Sequence, residues 1–367
     1  MTLLTRTETR ATPGAVRQVA AATRRRRVGA TPRPLRAAVV GTGYWGPNLA
    51  RNFSTIEGVE LRSVCDPQPE ALRRMERQYP RARQYSALAE LLTDRELDLV
   101  AVATPVRTHF ELARAALSAG KHVLVEKPLA ASVAECEELI NVARRAGRVL
   151  MVDHTFVYHP AVEKVADLGR RGELGDLCYY DSVRINLGLF QRDANVLWDL
   201  APHDVSIMEH LIARPPRWVQ AAGARHAGQL HETMAYVTVQ YADNILGHVH
   251  VNWLSPVKVR QVCIGGSKRM LIYDDNQVTE KVRVYDRGVE LTSAEGIHQA
   301  LVQYRAGDMV APAIPNDEAL RRVVQHFLFC VRQERPPLTD GAAGLRVVRV
   351  LEAAQRSLDE DGARVPL

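Results

Sequence analysis

Leu35-Arg-Ala-Ala-Val-Val40-Gly41-Thr42-Gly43-Tyr44-Trp45-Gly46 is the stretch that decides how this chain folds. A short apolar run stops at a glycine, G-x-G-x-x-G follows, and a helical stretch begins behind it. Directly after a strand and at the opening of a helix, each glycine has a task. Gly41 permits the tight turn, Gly43 lets the backbone approach a pyrophosphate, and Gly46 allows close helix–strand packing, with Tyr44 and Trp45 completing the loop. The helix N-terminus adds free N–H groups and a partial positive charge. A second apolar run, 59–65, ends at Asp66, 20 residues after Gly46. An acid there accepts hydrogen bonds from both adenine-ribose hydroxyls and repels a 2′-phosphate, so NAD is expected rather than NADP. Arg62, on the same strand, leaves NADP a modest opening. S-adenosylmethionine or a flavin is the alternative Rossmann ligand.

The pattern continues in both senses from this loop. Helical periodicity over 69–79, 107–119 and 132–146 alternates with apolar runs at 97–103, 122–125 and 148–152. Strands alternating with helices of this length predict βαβ units and a doubly wound parallel sheet. After about residue 155 the pattern changes. One helix, 160–171, leads to longer strands at 177–187, 218–222, 234–241, 245–253, 257–264, 270–273 and 282–285, joined by short Asp/Asn/Gly turns. That spacing predicts an antiparallel meander. Two helices, 316–333 and 342–358, follow. The expected organisation is α/β, in three parts: an Arg-rich disordered extension (1–33), an NAD-binding Rossmann domain (34–155), and an α+β domain (156–367) for substrate binding and oligomerisation. Its sheet is large, open and mainly antiparallel, and its last helix packs back on the Rossmann domain.

Composition narrows the function classes. The 367 residues are 46% apolar and 25% charged, an ordinary globular balance. No run reaches the roughly 18 apolar residues of a membrane span. Residues 1–36 hold nine Arg and one acid, so they carry +8 of a formal net +6, and the other 331 residues sum to −2. A basic tail on a near-neutral body argues against a nucleic-acid partner, and no apolar stretch follows the arginines to make a secretory signal. The five cysteines (65, 136, 178, 263, 330) form no C-x-x-C pair, which reads as reduced thiols in a cytoplasm. His248 and His250 share a strand face but lack a third ligand, so no metal is expected.

Ligands of an open parallel sheet lie beyond the carboxyl ends of its strands. Two segments fall there: Thr104-Pro105 with His109 just beyond, and Glu126-Lys127-Pro128. Partial burial beside a nicotinamide would lower the Lys127 pKa and let it exchange a proton with a reacting hydroxyl. In the second half, Asp199 and His203 are four apart with Pro202 between them. On a helix they share a face, and the proline predicts that both sit in a first turn. A carboxylate-oriented imidazole suits proton removal from a secondary alcohol, and the residues leave open whether His203 or Lys127 is the base.

Taken together, the glycine loop, Glu126-Lys127-Pro128, and Asp199 followed four residues later by His203 resemble the Gfo/Idh/MocA oxidoreductase family. The resemblance runs from about Leu35 to the C-terminus. It implies that Lys127, Asp199 and His203 form the catalytic constellation and that the Lys127–Pro128 peptide is cis. It also implies a homodimer or homotetramer built on the C-terminal sheet. The stretch from Gly43 to Asn52 and the block from Asp181 to Phe190 look like a subgroup acting on nucleotide sugars, with oxidation at C3 of UDP-N-acetylglucosamine or its uronate as the implied reaction. Tyr158, Arg184 and Asn195 are the expected substrate contacts. The rival readings are a keto-sugar reductase and a non-catalytic dinucleotide sensor.

Overall fold

The computed structural model describes residues 33–188, 190–191, 194–286, 288–290, 303–305 and 307–367. The expected N-terminal extension lies outside them. Six parallel strands form the first sheet: β1 (Leu35–Val40), β2 (Val59–Cys65), β3 (Arg83–Tyr85), β4 (Leu99–Val102), β5 (His122–Glu126) and β6 (Leu150–Asp153), in the order β3-β2-β1-β4-β5-β6. Helices α1 (Gly46–Thr55), α2 (Pro69–Gln78), α3 (Leu88–Leu91), α4 (His109–Ser118) and α5 (Val133–Ala146) intervene. The central strands are buried along their length because helices cover both faces. The edge strand β3 is an addition to the sequence reading: it is only three residues long, Arg-Gln-Tyr, and carries no apolar run.

Helix α6 (Pro160–Arg170) leads into the second sheet, which holds β7 (Leu177–Leu187), β8 (Pro216–Ala224), β9 (Met234–Tyr241), β10 (Leu246–Asn252), β11 (Leu254–Gly266), β12 (Met270–Asp274) and β13 (Val282–Tyr285). A separate ribbon pairs β14 (Gly288–Glu290) with β15 (Gln303–Arg305), and the short strands β16 (Met309–Val310) and β17 (Val365–Pro366) close the two edges of the large sheet. The sheet is mixed rather than a pure meander. β10 lies parallel to β7, with Val249 opposite Ser182, while its other pairings run antiparallel. The cause is the helix α7 (Val196–Ile212), a crossover that carries the chain from β7 to β8 and lets the β8-β9-β10 meander return beside β7.

One core fills the space between this sheet and its helices, with Val205, Met208, Val237, Val249 and Trp253 all buried. The last two helices, α8 (Ala319–Gln333) and α9 (Gly341–Asp359), tie the sheets together. Phe327 of α8 joins Phe53 and Leu49 in the core beneath α1. At the start of α9, Gly344 abuts Val152 and Leu129 so closely that a Cβ would overlap them, and the Thr339 hydroxyl donates to the Val152 carbonyl at 2.6 Å.

Candidate active site

The loop after β1 turns at Gly41, whose φ of +87° is open only to glycine; a Cβ there would also strike the Ala103 carbonyl. A Cβ on Gly43 would meet nothing within 4 Å, so the loop presents bare backbone to open space. Asp66 stands at the end of β2 and accepts hydrogen bonds from Thr42 N at 2.7 Å, the Thr42 hydroxyl at 3.0 Å and Gln68 N at 2.9 Å. These residues fit a dinucleotide: open backbone at a helix start for the pyrophosphate, and a fixed carboxylate for the ribose. Arg62 points elsewhere, its guanidinium bound to Asp94 at 2.6 Å and to Glu96. Tyr44 is exposed, while Trp45 turns inward and donates its indole N–H to Asp153 at 3.4 Å.

Two carboxyls stand at the ends of neighbouring strands. Glu126 and Asp153 are register partners on β5 and β6, with Asp153 buried and Glu126 half-buried. Burial raises both pKa values, and for Glu126 the Asp153 charge raises it further. The Glu126 carboxylate also accepts from Lys127 N at 3.2 Å, and Asp153 accepts from the Thr155 hydroxyl at 2.7 Å. The next peptide, Lys127–Pro128, is cis.

The Lys127 ammonium crosses to α7. It donates to the Asp199 backbone carbonyl at 2.7 Å and lies 3.8 Å from the Asp199 carboxylate. The other Asp199 oxygen accepts from the Trp253 indole at 3.0 Å. Burial lowers the Lys127 pKa, opposed by the charges of Asp199 and Glu126. Asp199 therefore orients Lys127 and not His203: its carboxylate is already held by a lysine and a tryptophan from distant parts of the chain. The Nδ1 of His203 is buried without a partner, and the ring stands edge-on to Phe156 with 5.1 Å between centroids. Burial, then the cations Lys127, Arg184 and Arg260, push the His203 pKa well below its ordinary value, so the imidazole is neutral.

Pro202 also departs from expectation. Helix α7 starts at Val196, capped by the Asn195 side chain accepting from Trp198 N at 3.1 Å, so Asp199 is in its first turn but the proline lies inside the helix. Burial of Ala201, Val205 and Met208 holds the helix together across the lost hydrogen bond.

Of the remaining expected residues, Thr104 and Pro105 begin the turn beyond β4, where the Thr108 hydroxyl donates to Thr104 Oγ1 at 2.8 Å. His109 is not open to coenzyme. It is buried, with its ring nitrogens 2.8 Å from the carbonyls of Pro128 and Thr104, and so braces the two loops it joins. Asn195 is the cap of α7, and its amide is taken up by Glu232 at 2.9 Å and Gln355 at 2.8 Å. Tyr158 is buried with its hydroxyl 3.1 Å from Thr339 Oγ1. Arg184 does lie beside the site, but buried and forked onto Asp204, its guanidinium 4.4 Å from the Phe156 ring centre. The sequence reading missed His154. This residue follows Asp153 at the end of β6, is buried with neither ring nitrogen partnered, and has its pKa lowered to about 3 by burial and the Lys127 charge. The strand-end rule that found Glu126 and Lys127 marks His154 as well.

A glycine loop built for a pyrophosphate, with a half-buried lysine and a neutral imidazole nearby, defines an NAD-binding oxidoreductase on a Rossmann scaffold. The chain belongs to the Gfo/Idh/MocA family. Its NAD-binding Rossmann-fold model matches residues 35–154, and the GFO/IDH/MocA C-terminal domain matches 162–272. The chain is 24% identical over 342 residues to D-apiose dehydrogenase of Paraburkholderia graminis, covering 90% of this chain and 89% of that protein. It is 26% identical over 328 residues to UDP-N-acetylglucosamine 3-dehydrogenase of Acidithiobacillus ferrooxidans, covering 86% and 94%. The solved structure of that enzyme, GnnA, superposes with a TM-score of 0.74 over 89% of this chain and 98% of the other. GenD2 from gentamicin A biosynthesis, solved with NAD, is 26% identical, with a TM-score of 0.77 over 93% and 99%. Among the described residues no helix is long and apolar enough to cross a membrane, and no group of three or more His, Cys, Asp or Glu could hold a metal.

Proposed function

We propose that this protein oxidises a secondary hydroxyl of a sugar, with Lys127 moving the hydroxyl proton. The observation that carries the assignment is the contact between Lys127 and Asp199. Burial favours the neutral amine while Asp199 and Glu126 favour the ammonium, so Lys127 can both accept and release a proton. His203 has no such carboxylate and faces three cations, which disfavours an imidazolium. It serves instead as a neutral hydrogen-bond partner that points the hydroxyl at Lys127. Bound NAD supplies the hydride acceptor. The Glu126–Asp153 pair fixes the strand-end loop, and Trp45 links it to the glycine loop.

Similarity to UDP-N-acetylglucosamine 3-dehydrogenase over most of the chain supports a nucleotide sugar as substrate and C3 as the carbon oxidised. Asp66, together with the diversion of Arg62 to Asp94 and Glu96, supports NAD over NADP. The outer face of the second sheet exposes Leu187, Tyr236 and Leu246, which supports a second copy of the chain there. The free cysteines fit the cytoplasm. The test is incubation with NAD and a panel of nucleotide sugars while NADH absorbance is followed. Turnover that disappears in Lys127→Met at every pH supports the assignment; a Lys127→Met enzyme with wild-type turnover overturns it.

A further inference from the structure

The cations beside His203 and Phe156 are not evenly paired with acids, and the imbalance has a definite place. Arg184 on β7 and Arg260 on β11 are directly opposite each other in the sheet register, so both project to the same face. The Phe156 ring lies against them, 4.4 Å from the Arg184 guanidinium and 6.0 Å from that of Arg260, and its other contact is the His203 ring. Arg260 is thus one aromatic ring away from the imidazole at the centre of the site.

The charges around this ring divide unevenly. Lys127 is answered by Asp199, and Arg184 by Asp204 in a buried two-pronged pair. The third acid, Asp275, is shared. Arg260 reaches it at 3.4 Å, Lys281 and His159 each lie 3.9 Å away, and the Tyr273 hydroxyl donates to it at 3.1 Å. One carboxylate cannot neutralise both Arg260 and Lys281. Arg260 also keeps an unpartnered, buried Nε–H while its side chain is 32% exposed, so the group is open on one side and under-satisfied on the other. A guanidinium with free donors and incomplete charge compensation is suited to an anionic oxygen group.

Building on the sugar-oxidation reading, we infer that Arg260 receives an anionic oxygen group of the sugar substrate, a ring carboxylate or a phosphate, so that the substrate class is an acidic or phosphorylated sugar and not a neutral one. The cations that keep His203 neutral are the same ones that an anionic substituent would meet, and Phe156 separates the two functions.

Arg260→Met keeps the aliphatic stem against Phe156 and removes the charge; Arg260→Lys restores a charge without the fork. Direct binding to the NADH complex reads the result without needing turnover, with UDP-N-acetylglucosaminuronate, UDP-N-acetylglucosamine and uncharged N-acetylglucosamine as probes. Loss of a hydrogen-bonded charge contact is expected to weaken the anionic ligands by about 10- to 100-fold in Arg260→Met, with partial rescue in Arg260→Lys and unchanged NADH affinity. Selective loss of the uronate assigns the subsite to a ring carboxylate, and equal loss of both nucleotide sugars assigns it to the diphosphate. Unchanged affinity for both, or an equal loss for the uncharged sugar, overturns the inference. Failure of the wild-type enzyme to reduce NAD with any sugar would fall on the oxidation reading alone, because these affinities are measured independently.

Discussion

The two banks of the cleft handle buried charge in opposite ways. On the bank formed by β5 and β6, an acid meets an acid: Glu126 lies beside Asp153, Glu126 Oε1 has no protein partner, and His154 beside them has none for either nitrogen. On the bank formed by β7 and β11, each acid meets a cation, as in Arg184–Asp204 and Arg260–Asp275. Buried polar groups in folded proteins are nearly always satisfied. The first bank keeps buried polar atoms without a protein partner, whereas the Arg184–Asp204 pair of the second is hydrogen-bonded within the protein. Lys127 bridges them, rooted in one bank and hydrogen-bonded to the other.

The largest effect is expected where the banks meet. Lys127→Ala should lower the rate by roughly 10²–10⁴, the usual worth of a positioned proton-transfer group, while NADH titration shows the coenzyme still bound. His203→Ala should also lower the rate, but without erasing the pH dependence that belongs to Lys127. If His203→Ala removes that pH dependence and Lys127→Ala leaves it, the roles are exchanged.

The next two predictions set one bank against the other. Asp204→Leu strands the Arg184 charge in a buried site, which costs about 3–5 kcal/mol and should appear as a large drop in the denaturation midpoint. Asp153→Asn replaces a carboxyl whose charged form burial disfavours by an amide of the same shape. Its stability should stay within about 1 kcal/mol of the wild type, because the amide oxygen can accept from the Trp45 indole while the NH2 donates to the Thr155 hydroxyl. Equal losses from the two substitutions would erase the distinction between the banks.

The first bank was easier to read from the sequence than the second, for a physical reason. Strands β1, β2, β5 and β6 are short apolar runs, and the glycine loop is a local backbone requirement, so both are written in consecutive residues. The pairings of the second bank are not. Asp199 and His203 have the four-residue spacing that puts side chains on one helix face, yet the Asp199 carboxylate is held by Trp253 and approached by Lys127, from strands far away in the chain. The parallel alignment of β10 with β7 is non-local in the same way. Asn195 and Tyr158 carry polar groups that suit a sugar, but Glu232, Gln355 and Thr339 had already claimed them. Asp153 and His154 were within reach of the strand-end rule that singled out Glu126 and Lys127.

The smallest expected effect separates the banks by pH. His154, with a folded pKa of about 3, His122, at about 4, and His203, well below the ordinary value, are buried in the neutral form. An unfolded histidine titrates near 6.5, so below that pH the unfolded chain binds more protons than the folded one. The histidine contribution to stability is therefore flat above about pH 6.5 and falls as pH drops towards 5, by up to about 1.4 kcal/mol per pH unit for each such group. Glu126 and Asp153 act with the opposite sign. Their folded pKa values are raised, so the stability they contribute is present at low pH and lost as pH rises through those values. A series of urea midpoints between pH 7 and 5 measures the sum, and His154→Asn should reduce the downward slope by about one proton. A slope that is unchanged in His154→Asn would mean that this imidazole titrates alike in the folded and the unfolded chain, and its burial without a partner would then leave no mark on stability.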